Sequence, residues 1–195
     1  MNITDADLLD GERLIQTKNA NAVIKIDEHG LSRFAFDQLM WTVGMKGKEA
    51  IGGKIHLTNY RLVFQSHAIN RLTGKFSIFL PTIKELKDAS GLIVKKMEVA
   101  TDTQLFEFVI WGVPAFIAQI QIAKNAIHSD QLSQIRTMAA KEFRKCGEGL
   151  KVFAALEAIN VGILTVQEIK EIVKIAQNPV EVASILNLLE LFSED

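Results

Sequence analysis

Residues 54–66 constrain the fold more than any other stretch of the chain. Lys54-Ile55-His56-Leu57-Thr58 alternates polar with apolar side chains, Asn59-Tyr60 supplies a tight turn, and Arg61-Leu62-Val63-Phe64-Gln65-Ser66 returns. A period of two sends successive side chains to opposite faces, so the segment predicts an antiparallel hairpin with Leu57 and Phe64 directed inward. Asn59 is expected to take a left-handed backbone conformation at the turn. Other short segments read the same way: Leu14–Thr17 and Ala22–Ile26, with a turn at Asp27–Gly30, then Lys75–Leu80, Ile83–Leu86, Leu92–Val99 and Gln104–Ile110. So many strands with tight connections argue for an antiparallel sheet or small barrel.

Three helices interrupt or close this pattern. Thr4 with Ala6, Leu8 and Leu9 predicts a short opening helix ending at Gly11. Phe36, Leu39, Met40 and Val43 fall at helical spacing, predicting an amphipathic helix over Phe34–Val43. Pro114 suits a first helical position, and Phe116, Ile117, Ile120 and Ala123 form a stripe that would cover the apolar end of a barrel.

The character of the chain changes near Lys124–Asp130. Nine of the twelve glycines lie before that point, and residues 1–125 carry net charge +2 against −3 for 126–195. Two modules are expected, 1–126 and 127–195, the second an all-α extension. Ser129 opens a helix to about Lys145, and Val152, Leu156 and Ile159 continue the helical period. Thr165 with Glu168 forms a capping box, and Asn178-Pro179 precedes a last helix with Val182, Ile185, Leu186, Leu189 and Phe192 on one side. Helices this one-sided need a partner surface, on the first module or on another copy.

Composition narrows the function classes. Twenty-two Lys and Arg against 23 Asp and Glu exclude a globally basic nucleic-acid binder. The single cysteine, Cys146, permits no internal disulfide and no thiolate zinc site, which favours a reduced, cytoplasmic setting. The Met1–Asp10 opening is acidic and does not read as a signal peptide. Val109–Ala118 falls far short of the ~20 apolar residues that span a bilayer. Histidines 29, 56, 67 and 128 are scattered without ligand spacing, so no metal or other cofactor is expected. No nucleophile stands beside a base, and no catalytic residue is nominated.

Gly53-Lys54-Ile55-His56-Leu57-Thr58-Asn59-Tyr60-Arg61-Leu62-Val63-Phe64 resembles the central hairpin of GRAM domains and related bacterial PH-like domains. Leu8-Leu9-Asp10-Gly11-Glu12 resembles the entry to that domain, and Gln104–Val109 the strand leading into its closing helix. The resemblance spans roughly residues 8–125. It implies an α+β, PH-like fold, with two packed antiparallel sheets forming a partly open barrel capped by a C-terminal helix. It also implies binding of anionic lipids or of proteins rather than catalysis. In the tail, Gly162-Ile163-Leu164-Thr165 and the following helix resemble short helical oligomerisation segments.

The candidate ligand-binding residues are Trp41, Lys46, Lys48, Lys54, Arg61 and Arg71. Lys46, Lys48 and Lys54 cluster among four glycines in the loop Gly44–Lys54, whose amides suit a phosphate. Trp41 beside it suits a membrane interface. The competing reading is that Trp41 and Phe36 cover the barrel while the lysines keep the loop soluble. Gly47–Lys54 is not a P-loop, because its spacing is one residue too long and Ile55 stands where Ser or Thr must bind Mg²⁺. Arg61 reads either as a headgroup contact with Lys54 and Arg71 or, preferably, as a residue that pairs with a nearby carboxylate or caps loop carbonyls and holds the turn. The sequence therefore predicts a non-enzymatic binding module whose first-ranked partner is a protein or a second copy. An anionic membrane surface, with peripheral attachment, is the alternative.

Overall fold

The computed structural model describes residues 3–24, 50–67, 75–102, 104–145, 187–188 and 190–192. Seven strands build one continuous antiparallel sheet: β1 (Leu14–Ile24), β2 (Ala50–Thr58), β3 (Arg61–Ser66), β4 (Lys75–Phe79), β5 (Glu85–Asp88), β6 (Lys96–Ala100) and β7 (Leu105–Val109). Their order is β4-β3-β2-β1-β7-β6-β5. Two helices follow, α1 (Val113–Asn125) and α2 (Ser129–Lys145).

The expected pair of packed sheets is thus a single open sheet, joined through β1. In a flat sheet β4 and β7 would lie about 19 Å apart, four strand spacings. Yet the Phe76 and Phe106 rings on those strands stack with centroids 5.4 Å apart. Only a strongly curled sheet brings them together. Phe64 and Phe108 complete the cluster, at 6.1 Å from each other. Ile55, Leu57, Ile78, Met97 and Val99 pack around it. Helix α1 closes this core with Val113, Phe116, Ile120 and Ala123. Gly112 makes the sharp entry to the helix at φ +70°, a conformation other residues rarely adopt.

Several elements depart from the sequence reading. Leu14–Thr17 and Ala22–Ile26 are not two strands: β1 runs unbroken through Lys18-Asn19-Ala20-Asn21 to Ile24. Asn is a poor strand former, but β2 pairs along nearly the whole length of β1 and β7 pairs with its far end. The alternation was hidden because the inward series is Gln16, Lys18, Ala20 and Ala22, small or polar rather than bulky. The opening helix is one 3₁₀ turn, Asp5–Asp7, with the Thr4 main-chain N–H donating to Asp7 at 2.9 Å. Leu92–Val99 is not all strand, since β6 starts only at Lys96. Asn59 is not left-handed, because positive φ occurs only at Gly11 and Gly112 among the described residues.

Of the tail, α2 and the helical residues 187–188 and 190–192 are described. Leu188 and Leu191, outside the expected 182/185/186/189/192 stripe, are fully buried and Phe192 is half-buried, while the other four positions of the stripe lie outside the described residues. Polar contacts join this segment to the sheet unit. Asn187 Oδ1 accepts the Phe79 N–H at 2.6 Å, and its Nδ2 donates to Thr82 Oγ1 at 2.7 Å. Thr101 Oγ1 donates to Glu190 at 2.8 Å, and Arg136 Nε on α2 donates to the Leu191 carbonyl at 2.8 Å. The predicted helix at Phe34–Val43, the turn at Asp27–Gly30, Cys146 and the helices between 152 and 186 lie outside the described residues.

Candidate functional site

Two hairpin turns carry the chemistry that the fold leaves over. At the first, Thr58–Arg61, the Thr58 hydroxyl oxygen accepts the main-chain N–H groups of Tyr60 and Arg61 at 3.1 and 2.9 Å. Its hydrogen faces Glu12 Oε1 at 2.7 Å and the Arg61 carbonyl at 2.9 Å. The Arg61 guanidinium grips Glu12 with two bonds, Nε to Oε1 and Nη2 to Oε2, both 2.9 Å. Its remaining donors reach Ser77 Oγ at 3.0 Å and the Asp7 carbonyl at 2.9 Å. The carboxylate of Glu12 also accepts the Leu9 N–H. Arg61 and Glu12 are both buried. Asn59 acts through its side chain, accepting the Arg13 N–H at 2.7 Å and donating to the Gly11 carbonyl. At the rim, the Lys75 ammonium and the Thr4 amide hold the Asp7 carboxyl well below the usual carboxylate range.

The candidate residues separate. Arg61 sits in this node, with four of its five side-chain N–H groups bonded inside the protein. Lys54 lies within β2, opposite Asn19 and Gln65, and is not in a loop. The same strand holds Gly53, and the glycine has a packing reason there: a Cβ on it would come within 2.6 Å of the Phe64 ring. The predicted loop Gly44–Lys54 is therefore strand from residue 50 onward. Trp41, Lys46, Lys48 and Arg71 lie outside the described residues.

The second turn, between β5 and β6, is of the opposite kind. The Gly91 N–H closes it on the Val94 carbonyl at 2.9 Å, and Ala89 N–H donates to Lys96 at 2.9 Å. Asp88 Oδ1 accepts the Ser90 N–H, and Ser90 Oγ accepts the Lys96 N–H. The Ser90 contacts keep the Asp88 carboxyl below its ordinary value. On this tightly bonded frame stand Leu92, Ile93 and Val94, exposed by 101%, 88% and 51%. Beside them, at the exit from β7, is Trp111, 77% exposed. Ile93, Val94 and Trp111 share a shallow cleft of about 310 Å³ with Asn19–Asn21 and Lys95. Lys18 Nζ donates to the Trp111 carbonyl at 2.8 Å, and Lys95 Nζ to the Gly91 carbonyl at 3.2 Å.

Sequence reasoning missed this surface. Gly91-Leu92-Ile93-Val94 has strand composition, and the β-branched residues masked a turn. The usable signal was Trp111 at a strand-to-helix junction, just ahead of Gly112-Val113-Pro114. Among the described residues, no group of three His, Cys, Asp or Glu is placed to hold a metal ion, and no helix is long and apolar enough to cross a membrane.

No protein-family model matches the chain, and no curated protein matches it. Solved structures similar to it include the following two. One is the C-terminal domain of an unknown protein from Leishmania infantum, at 16% identity, covering 59% of this chain and 86% of that one, with a TM-score of 0.41. The other is the Vps36 N-terminal PH domain, at 15% identity, covering 60% and 83%, also at 0.41. Likenesses this slight do not establish kinship.

Proposed function

We propose that the chain is a non-enzymatic binding module of the PH-like kind, and that the apolar turn at Leu92–Val94 with Trp111 is its contact surface. The hairpin residues that resemble GRAM and PH-like domains support the kind of module, together with an open antiparallel sheet closed by a helix. The observation that carries the contact surface is the exposed Leu92-Ile93 pair on a turn held by main-chain and side-chain hydrogen bonds at its base. Turn tips ordinarily carry Gly, Asn, Asp, Pro or Ser, and nothing in folding asks for Leu and Ile there. A protruding apolar tip next to an exposed tryptophan is the signature of a surface that meets something. The basic node around Arg61 is a poor rival, since its charge is already paired with the buried Glu12 and four of its five N–H groups are bonded within the chain. Self-assembly through the tail has less to recommend it, because Asn187 and Glu190 spend their side chains on the chain's own sheet unit.

The test is the full chain with Leu92→Ser and Ile93→Ser together, followed by thermal melting and by binding of an apolar fluorescent dye. A contact surface leaves the melting temperature within about 2 °C, as for other exposed substitutions, while dye binding falls. A drop of several degrees would mean that the turn packs against the rest of the chain, and the reading would be lost.

A further inference from the structure

The strand that leads into the apolar turn carries a pattern of its own. Resting on the binding-module reading for the turn, we propose that β5 pairs antiparallel with β5 of a second copy of this chain. The two-fold axis passes at Leu86, and the Gly91–Val94 turn of each copy seats on the other.

The edge is open and regular. β5 stands last in the sheet order and pairs only with β6 among the described residues. Lys84, Glu85, Lys87 and Asp88 are all exposed there. The Ala89 N–H donates to the Lys96 carbonyl, and the pairs Lys87↔Glu98 and Glu85↔Ala100 lie two and four residues back on the same ladder. In an antiparallel ladder, residues that exchange bonds with the neighbouring strand alternate with residues that do not. Glu85 and Lys87 therefore turn their main-chain groups toward β6, and Leu86 and Asp88 turn theirs to the open edge. Such a row is a template for another strand.

Charged side chains commonly guard an edge against that outcome. Their order here invites it. The segment reads Lys84-Glu85-Leu86-Lys87-Asp88. Turned end for end about Leu86, it sets Lys84 opposite the partner's Asp88 and Glu85 opposite the partner's Lys87. Symmetry repeats both pairs. A ladder between two identical edges joins edge-facing residues to edge-facing residues, so it must be centred on one residue. Centred on Lys84, Glu85, Lys87 or Asp88, it would set that charge against its own copy, which is unfavourable. Leu86 is the one uncharged centre, and the same register matches every flanking charge. Within the chain, Lys84 meets Asp102 at 3.4 Å and Lys87 meets Glu98 at 3.8 Å. Both contacts use exposed lysines, and pairs of that kind are held weakly.

The register also gives the apolar turn a place to go. Carried past the strands, it brings the Gly91–Val94 turn of one copy to the partner's Pro81. A cleft of about 380 Å³ opens at that position, lined by Pro81, Ile127 and Leu132 together with Lys84 and Lys124. Leu92 and Ile93 supply the apolar side chains for it. The two-fold uses both turns and both clefts, so the contact closes on itself as a dimer. A ladder this short buries little area, so the dimer forms and parts with concentration.

The experiment is sedimentation equilibrium of the full chain over a concentration series. The wild type is expected to pass from monomer to dimer. Glu85→Lys and Lys87→Glu each set like charges across the axis, and each lowers the association constant about tenfold. An equimolar mixture of the two variants sets opposite charges across it and recovers association to within about threefold of the wild type. The chain carrying both substitutions recovers likewise, which separates pairing from any loss of folding in a single variant. Leu92→Ser with Ile93→Ser lowers association about fivefold. A wild type that stays monomeric overturns the proposal, as does a single charge variant that dimerises like the wild type. So does loss in both single variants without recovery in the mixture or in the doubly substituted chain. If the charge variants change nothing and the serine variant abolishes association, the edge pairing fails while the turn remains a contact surface. Melting and dye binding of the serine variant test that surface separately.

Discussion

The two hairpin turns, Thr58–Arg61 and Gly91–Val94, are built with similar care and for opposite ends. In the first, a charged and polar sequence is buried, and Arg61 makes four side-chain hydrogen bonds within the protein. In the second, an apolar sequence is exposed, and the main chain with the side chains of Asp88, Ser90 and Lys95 holds the turn. Polar groups buried with partners serve the fold, because desolvation penalises any arrangement that leaves them unpaired. Apolar groups exposed on a stable frame gain nothing from folding. The first turn therefore belongs to stability, and the second is the one proposed for contact, the reverse of what residue chemistry alone would suggest for a basic and an apolar segment.

Glu12→Ala breaks that comparison most severely, because it strands the Arg61 charge in a buried site. It should destabilise the chain by about 3–5 kcal/mol in urea unfolding. Replacing both members with leucine should recover much of that loss, since the attraction of a buried pair only roughly offsets its desolvation. A double variant as unstable as the single one would mean that Glu12 matters through Leu9 and Thr58 instead. Asn187→Ala comes next. It leaves the Phe79 N–H without its acceptor, and the expected loss is about 1–3 kcal/mol. No loss would mean that the tail does not stabilise the sheet unit.

The residues named so far show what could be read from the sequence. The Lys54–Ser66 hairpin was legible because large apolar side chains mark its inner face, and β4, β7 and α1 fell where their periods placed them. β1 was misread because Ala20, Ala22 and Lys18 carry its inner face, so burial there comes from partner strands rather than from the residues' own character. A carboxylate or loop carbonyls were expected to face Arg61, but naming Glu12 needed the 49-residue separation to be closed by the fold. The apolar turn could not be read at all. Gly-Leu-Ile-Val is equally good strand, and only the pairing of Asp88 with Met97 places the tip outside the ladder.

A pH measurement sharpens the comparison further. His56 is buried on β2, with Nδ1 2.9 Å from Thr17 Oγ1, and Nε2 meets no hydrogen-bonding atom among the described residues. Burial first, and then the Lys54 and Lys75 charges, push its pKa below 6.5. The unfolded chain therefore takes up a proton near pH 6.5 that the folded chain refuses, so this contribution is whole above that pH and is lost as pH falls. Melting temperature should decline between pH 7 and 5, and His56→Gln should flatten the decline. An unchanged slope in the variant would assign the acid sensitivity to other groups.

The smallest expected effect separates the two turns most directly. Asn59→Ala and Ser90→Ala each remove side-chain bonds that hold a turn. Asn59 ties its turn to Gly11 and Arg13, 46 residues or more away, so its loss disconnects the N-terminal segment and should cost about 1 kcal/mol. Ser90 bonds only within its own hairpin, where water reaches the freed Lys96 N–H, and its loss should cost no more than about 0.5 kcal/mol. Unfolding of the two variants side by side gives the difference. If Ser90→Ala proves as costly as Asn59→Ala, the second turn is part of the cooperative core. Its exposed leucine and isoleucine would then sit on an element that the fold needs, and the division between a stabilising turn and a contacting one would not hold.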